Sequence, residues 1–184
     1  MHTPAPYRGS RDLRLVTVRR GGTLRDEDHR LLALWAADCA RHVLHLFEEA
    51  RPDDKRPRRA IERACAWGRG EITMTQARVA AYAAHAAARE TSGAAKDAAR
   101  AAGHAAAVAH MADHELGAAA YAILAVRATA EHERRDEAGR GECAWQRAQL
   151  PDAIRDLVLD DQRLRNDKLR RLSGSAGGGT MFDI

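Results

Sequence analysis

Histidine is the residue whose placement most suggests chemistry in this chain, which holds nine of them. Two lie in the run His110-Met-Ala-Asp-His114-Glu115. On a helix, positions i and i+4 point both imidazoles the same way, which is a metal-ligand spacing. The zinc-protease helix needs a Glu directly after the first His, and Met111 stands there instead. If the helix is unbroken, Gly103, Ala107, His110, His114, Gly117 and Tyr121 share one stripe. Its small residues make a surface for close helix approach. His110 and His114 within it read as metal ligands, as a proton-transfer pair, or as polar groups satisfied by their neighbours. The last is the commonest outcome for such residues.

Two further stripes carry polar chemistry. Trp35, Asp38, His42 and His45 recur at helical steps. Asp and His at i, i+4 can bond through an imidazole N–H, which fixes the tautomer and raises basicity. The same pair is equally an ordinary helix-surface contact of about 0.2–0.5 kcal/mol. No nucleophile stands near it in sequence. Arg78, Tyr82, His85 and Arg89 form the other stripe, which suits a carboxylate or phosphate grip or a solvated face. His104, like His85, opens a His-Ala-Ala triplet. Trp35, Trp67 and Trp145 read as core anchors before they read as a ligand cage. No glycine-rich phosphate loop, serine nucleophile elbow or Cys/His metal quartet is present, so no cofactor is expected. Whether any reaction is catalysed stays open.

The elements that must position these residues are helices. The chain has 40 Ala, 27 Arg and only 3 Lys, with 4% aromatics. Ala and Arg are strong helix formers, and the β-branched runs of a sandwich or barrel are missing. The expected fold is all-α: a single compact bundle of six to seven helices with Ala-rich central helices and a short extended N-terminal arm.

Residues 1–22 form the arm, with Leu13–Val18 as its extended part. Residues 23–172 form the helical domain, and 173–184 a Gly-rich tail whose last residues, Met181 onward, could dock on the body. Thr23 with Asp26 resembles an N-cap for a first helix running to Glu49, with the core stripe Leu32, Ala36, Cys39, Val43 and Leu46. Further helices are expected at 57–68, 76–91 after a Thr75 cap, 94–130, 131–148 and 151–172. The 94–130 stretch should kink or break near Met111–Asp113, and Gly139 with Gly141 could split the helix after it.

The net charge of +4 invites a nucleic-acid partner. Interleaved acids, the Asp53-Asp54 lead before Lys55–Arg59 and the lack of a binding motif argue against one. Cys39, Cys65 and Cys143 lie far apart without a CxxC, as expected of reduced, mostly buried thiols in a cytoplasmic protein. No signal peptide is expected, and charges interrupt every Ala-rich stretch, so no membrane partner is expected.

Several runs carry a resemblance. They are Gly21-Gly-Thr-Leu-Arg-Asp-Glu-Asp-His-Arg-Leu-Leu-Ala-Leu-Trp-Ala-Ala-Asp-Cys-Ala-Arg-His42, Arg59-Ala-Ile-Glu with Trp67 and Gly70-Glu-Ile-Thr, and Ala83-Ala-His85-Ala-Ala-Ala-Arg89. Ala102-Gly-His104-Ala-Ala-Ala-Val-Ala-His110-Met-Ala-Asp-His114 and Leu150-Pro-Asp-Ala-Ile-Arg-Asp-Leu-Val complete the set. Over residues 13–172 the chain resembles the immunity-protein-five-like group of small bacterial helical proteins. Trp35, Asp38, Cys39, His42, His85, His104, His110 and His114 fit its pattern, while His45 stands where a proline is expected and the Gly-rich tail lies outside it.

The resemblance implies an all-helical cytoplasmic protein that neutralises a toxin by binding it, and it brings no catalytic residues. The competing expectation is a small-molecule-binding protein or enzyme of a specialised-metabolite or resistance pathway. It would use an interhelical pocket built from Trp35, Asp38, His42, Tyr82, His85, His104, His110, His114 and Tyr121. A homodimer is left open by either reading.

Overall fold

A computed structural model describes residues 11–171 and 181–182. The remainder of the N-terminal arm and of the Gly-rich tail lies outside the described residues. Seven α-helices follow one another: α1 Asp26–Ala50, α2 Arg56–Gly68, α3 Met74–Arg89, α4 Gly93–Ala107, α5 Glu115–Thr129, α6 Arg135–Ala148 and α7 Asp152–Arg170. No strand occurs among the described residues.

The Ala-rich helices take the centre because small side chains let backbones approach closely from several directions. α4 packs against α1, α2, α3 and α5, and α5 against α1, α4 and α6. α5 buries Leu116, Ala118, Ala119, Ala120, Ala122, Ile123 and Ala125, so apolar residues lie all round it, as suits a helix enclosed by others. The bulk the alanines cannot supply comes from α1, whose Leu32, Trp35 and Phe47 are fully buried. Trp35 also donates its indole N–H to the Gln146 carbonyl at 2.8 Å, tying α1 to α6.

Several local expectations are corrected. Leu13–Val18 is not extended: 3-10 turns form at Leu13–Leu15 and Val18–Arg20. The Asp12 carboxylate accepts the Arg14 N–H and caps the first turn, and no strand among the described residues is present to hold an extended segment. Among the described residues, the one isolated bridge is Thr17 to Leu24. Thr23 does not cap α1, because its hydroxyl bonds the Leu13 carbonyl and the helix starts three residues later. Thr73, not Thr75, caps α3, since only Thr73 has Gln76 three residues on to complete a reciprocal capping box. Leu46 is half-buried, and Phe47 takes the core position beside Val43. α6 runs unbroken through Gly139 and Gly141. Of the tryptophans, Trp35 alone is fully buried, while Trp67 and Trp145 lie half-buried at the edge.

The 94–130 stretch breaks completely. α4 ends at Ala107, and a 3-10 turn at Ala112–His114 leads into α5. Neither Gly nor Pro occupies the break, so tertiary bonds must satisfy the carbonyls it frees. His29 donates Nε2–H to the Val108 carbonyl at 2.7 Å, Arg20 reaches the His110 carbonyl at 3.4 Å, and Arg165 reaches that of Asp113 at 2.8 Å. Three side chains from three parts of the chain thus hold the break open.

Removing the tryptophan that joins α1 to α6 tests the core directly. Trp35→Ala is expected to cost about 3–5 kcal/mol in urea denaturation, as deletion of a buried aromatic does.

Candidate functional site

The break changes what the histidines can do. His110 and His114 are no longer one turn apart on a common helix, because His110 precedes the 3-10 turn and His114 ends it. Four rings nevertheless meet at the junction of α3, α4 and α5. His85 lies edge-on to His104 with centroids 5.1 Å apart. His104 and His114 are 5.2 Å apart, His114 and His110 are 5.2 Å apart, and Tyr121 stacks on His104 at 5.3 Å. Arg100 sits 5.8 Å over the Tyr121 ring.

Glycines make the space. A Cβ on Gly103 would come within 2.6 Å of the His85 ring, and one on Gly117 within 2.5 Å of the His104 ring. Each imidazole thus lies against the backbone of the next helix.

Electrostatics keep the cluster neutral. Burial, then Arg100, pushes His85 down to about 4. Burial, then His114, pushes His104 down to about 3. His110 is lowered by burial and then Arg78, and His114 is lowered chiefly by burial against a smaller opposing pull from Asp113. The Nδ1 atoms of His104 and His114 face each other at 3.1 Å, so one donates and the other accepts on a lone pair. The accepting ring must be neutral with its proton on Nε2. His85 Nδ1 and His110 Nδ1 are buried without a hydrogen-bond partner. At the rim, burial raises Asp97 to about 6 and lifts the Tyr121 phenol above its ordinary value.

Beside the cluster, α7 anchors the break. Arg165 donates to Glu115 at 2.9 Å and makes a short contact with Asp161. Glu115 is fully buried, and burial raises it well above the carboxylate range although Arg165 pulls the other way. One guanidinium serves two carboxyls there.

The remaining candidates stand apart. Asp38 does not pair with His42; it pairs with Arg41. His42 reaches across to α6 instead, where its Nδ1 meets Glu142 at 2.8 Å and its ring stacks on Trp145 at 3.7 Å. A Glu–His–Trp contact between two helices outcompetes an i, i+4 pair because the buried Glu142 needs a partner and Asp38 has a nearer cation. Trp35 is enclosed in the core, and His45 is exposed. Tyr82 points to solvent, 61% exposed.

The structure therefore joins His85, His104, His110, His114 and Tyr121, and does not bring Asp38, His42 or Tyr82 to them. Asp97, Arg100, Glu142 and Arg165 were not singled out in the sequence, and Glu115 entered only as the end of the His110–Glu115 run. The local signals were the i, i+4 spacing of Asp161 with Arg165 and the i, i+3 spacings of Asp97 with Arg100 and Glu142 with Trp145. Among the described residues, no three His, Cys, Asp or Glu side chains are placed to hold a metal ion. Two of the basic residues in the Lys55–Arg59 run are engaged by acids: Arg56 by Asp54 and Glu90, and Arg58 by Glu48. The three cysteines are buried and free. No helix is long and apolar enough to cross a membrane.

A family model described as Imm-5 like putative immunity protein matches residues 22–153, which hold α1 to α6 and all four clustered histidines. The chain belongs to this family. No curated protein and no solved structure matches it. Within the Imm-5 like domain, the histidine cluster and both glycines that seat it fall inside the matched residues, whereas α7 with Arg165 lies beyond them.

Two outcomes follow from this geometry. Gly117→Ala should cost about 1–3 kcal/mol, the ordinary range for overpacking, because an imidazole and two backbones must move apart; chemical denaturation measures it. Stability should also fall in acid. The unfolded chain takes up protons on these histidines near pH 6.5, while the folded chain resists until about 4 at His85 and about 3 at His104. Their contribution is complete above pH 6.5 and is lost as the pH falls through that interval. Thermal melts across it should show the drop, and His104→Gln should flatten it.

Proposed function

We propose that this chain neutralises a toxin by binding it, through the exposed face of α3. Membership of the family supports the reading, and the observation that carries it is the pair Val79 and Tyr82, 63% and 61% exposed on one helix within the matched residues. Thr75, Val79, Tyr82, Ala86 and Arg89 follow at three- and four-residue steps, so they form one continuous stripe. A tyrosine and an arginine on a stripe with an apolar neighbour have the composition of a binding hot spot, where aromatic and Arg side chains supply most of the energy. The histidines, by contrast, turn inward and are kept neutral, which suits packing better than recognition of a protein surface.

The test is co-expression with the protein encoded next to this chain in its source genome. Growth should be restored, and the purified pair should associate. Tyr82→Ala should weaken association about tenfold or more, while Leu164→Ala, an exposed residue of α7, should leave it unchanged. A pair that never associates would sink the toxin-binding reading. Full binding by Tyr82→Ala and by Val79→Asp would move the interface off α3.

One observation favours the second reading, a small-molecule site at the histidine cluster: His85 and His110 each keep a buried ring nitrogen without a partner. A ligand that raises the melting temperature of the wild-type chain but not of His85→Ala would support it.

A further inference from the structure

One side chain holds the last described residues. Met181 and Phe182 follow α7 after the intervening residues 172–180, of which four are glycine. Both are buried, Phe182 completely. Among the described residues, Asn166 of α7 is the hydrogen-bond partner of both. Its Oδ1 accepts the Met181 N–H at 2.9 Å and the Phe182 N–H at 3.0 Å, and its Nδ2 donates to the Phe182 carbonyl at 3.1 Å. Asn166 is itself buried.

The pattern fixes the amide, because a flipped Asn166 would set N–H against N–H. It also fixes the backbone shape. Successive N–H groups of a straight strand point opposite ways; here two converge on one oxygen, so the segment is bent. None of the three bonds involves a tail side chain. Asn166 therefore recognises a bent dipeptide as backbone, and the enclosed Met and Phe side chains set the preference.

We infer that the Asn166 seat is a peptide-binding site, occupied in cis by the chain's own Met181-Phe182 and open in trans to a partner protein's bent segment with two adjacent large apolar side chains. The cis tail acts as a tethered competitor. Joined through residues 172–180, it faces the seat at an effective concentration of order millimolar. A second copy at ordinary concentrations cannot match that, so the trans occupant is a partner whose segment binds better than the tail, and the tail sets the threshold it must exceed. This site does not rest on the toxin reading, since it uses α7 and the tail and not α3.

The probe is the synthetic peptide Gly-Thr-Met-Phe-Asp-Ile, dye-labelled for anisotropy and unlabelled for NMR. In the full chain, Met181→Ser with Phe182→Ser disables the tail and leaves the seat. This variant should bind the labelled peptide at least about tenfold more tightly than the wild type, in which the tail competes. Adding Asn166→Ala should abolish binding, and a peptide with Ser in place of Met and Phe should not bind.

Wild-type chain labelled at methionine methyls gives an independent readout. Excess unlabelled peptide should move the Met181 resonance, saturably, to its solvent-exposed position while Met74 and Met111 stay put. A folded tail variant that ignores the peptide would overturn the inference. So would a Met181 resonance that never moves, or a tail variant that cannot fold, because the tail would then be fixed core. Concentration-dependent dimers that exchange tails would overturn the partner assignment in favour of a second copy.

Discussion

Close approach of α4 to its neighbours through alanine and glycine is the constraint on which the rest of the structure depends. Helices whose facing side chains are methyls or hydrogens can draw together until backbone meets ring. Gly103 and Gly117 turn that approach into sites, each holding an imidazole close against its backbone. Alanine also sets a limit. It buries little area per residue, so the stability of the centre must be supplemented from α1, where Leu32, Trp35 and Phe47 fill volume that α4 and α5 leave empty.

Burying polar groups in so tight a centre has a second consequence: charge must be avoided or matched. The histidines avoid it by staying neutral, one accepting from another across 3.1 Å. Glu115 and Asp161 match it with an Arg165 that they share. The break between α4 and α5 obeys the same rule at the backbone, with His29, Arg20 and Arg165 each taking a carbonyl the helix gave up. Polar groups of this molecule act first as structure. Val79 and Tyr82 on α3, by contrast, face water.

Family membership and geometry divide the molecule along its length. The matched residues contain the helices that close on one another and the histidine cluster. Beyond them, α7 carries Arg165, which clamps the break, and Asn166, which holds the tail. The last helix thus clamps the break with one residue and holds the tail with the next.

The sequence by itself determined the class of fold and most helix limits, because helix propensity, capping and glycine placement act within a few residues. The Ala-rich composition, the Pro151 start and the stop at Gly68 all lie in local chemistry. It also marked His85, His104, His110 and His114, since their spacing beside Gly and Ala is visible in the chain. Only the tertiary structure decided that these four converge while His42 does not. Asp38 and His42 are neighbours on one helix, but Arg41 and Glu142 offered each a stronger partner, and Glu142 is 100 residues away. The break after Ala107 was equally out of reach of local reasoning. Alanine favours continuing the helix, and the groups that stabilise stopping it come from residues 20, 29 and 165, which the sequence cannot show to be adjacent.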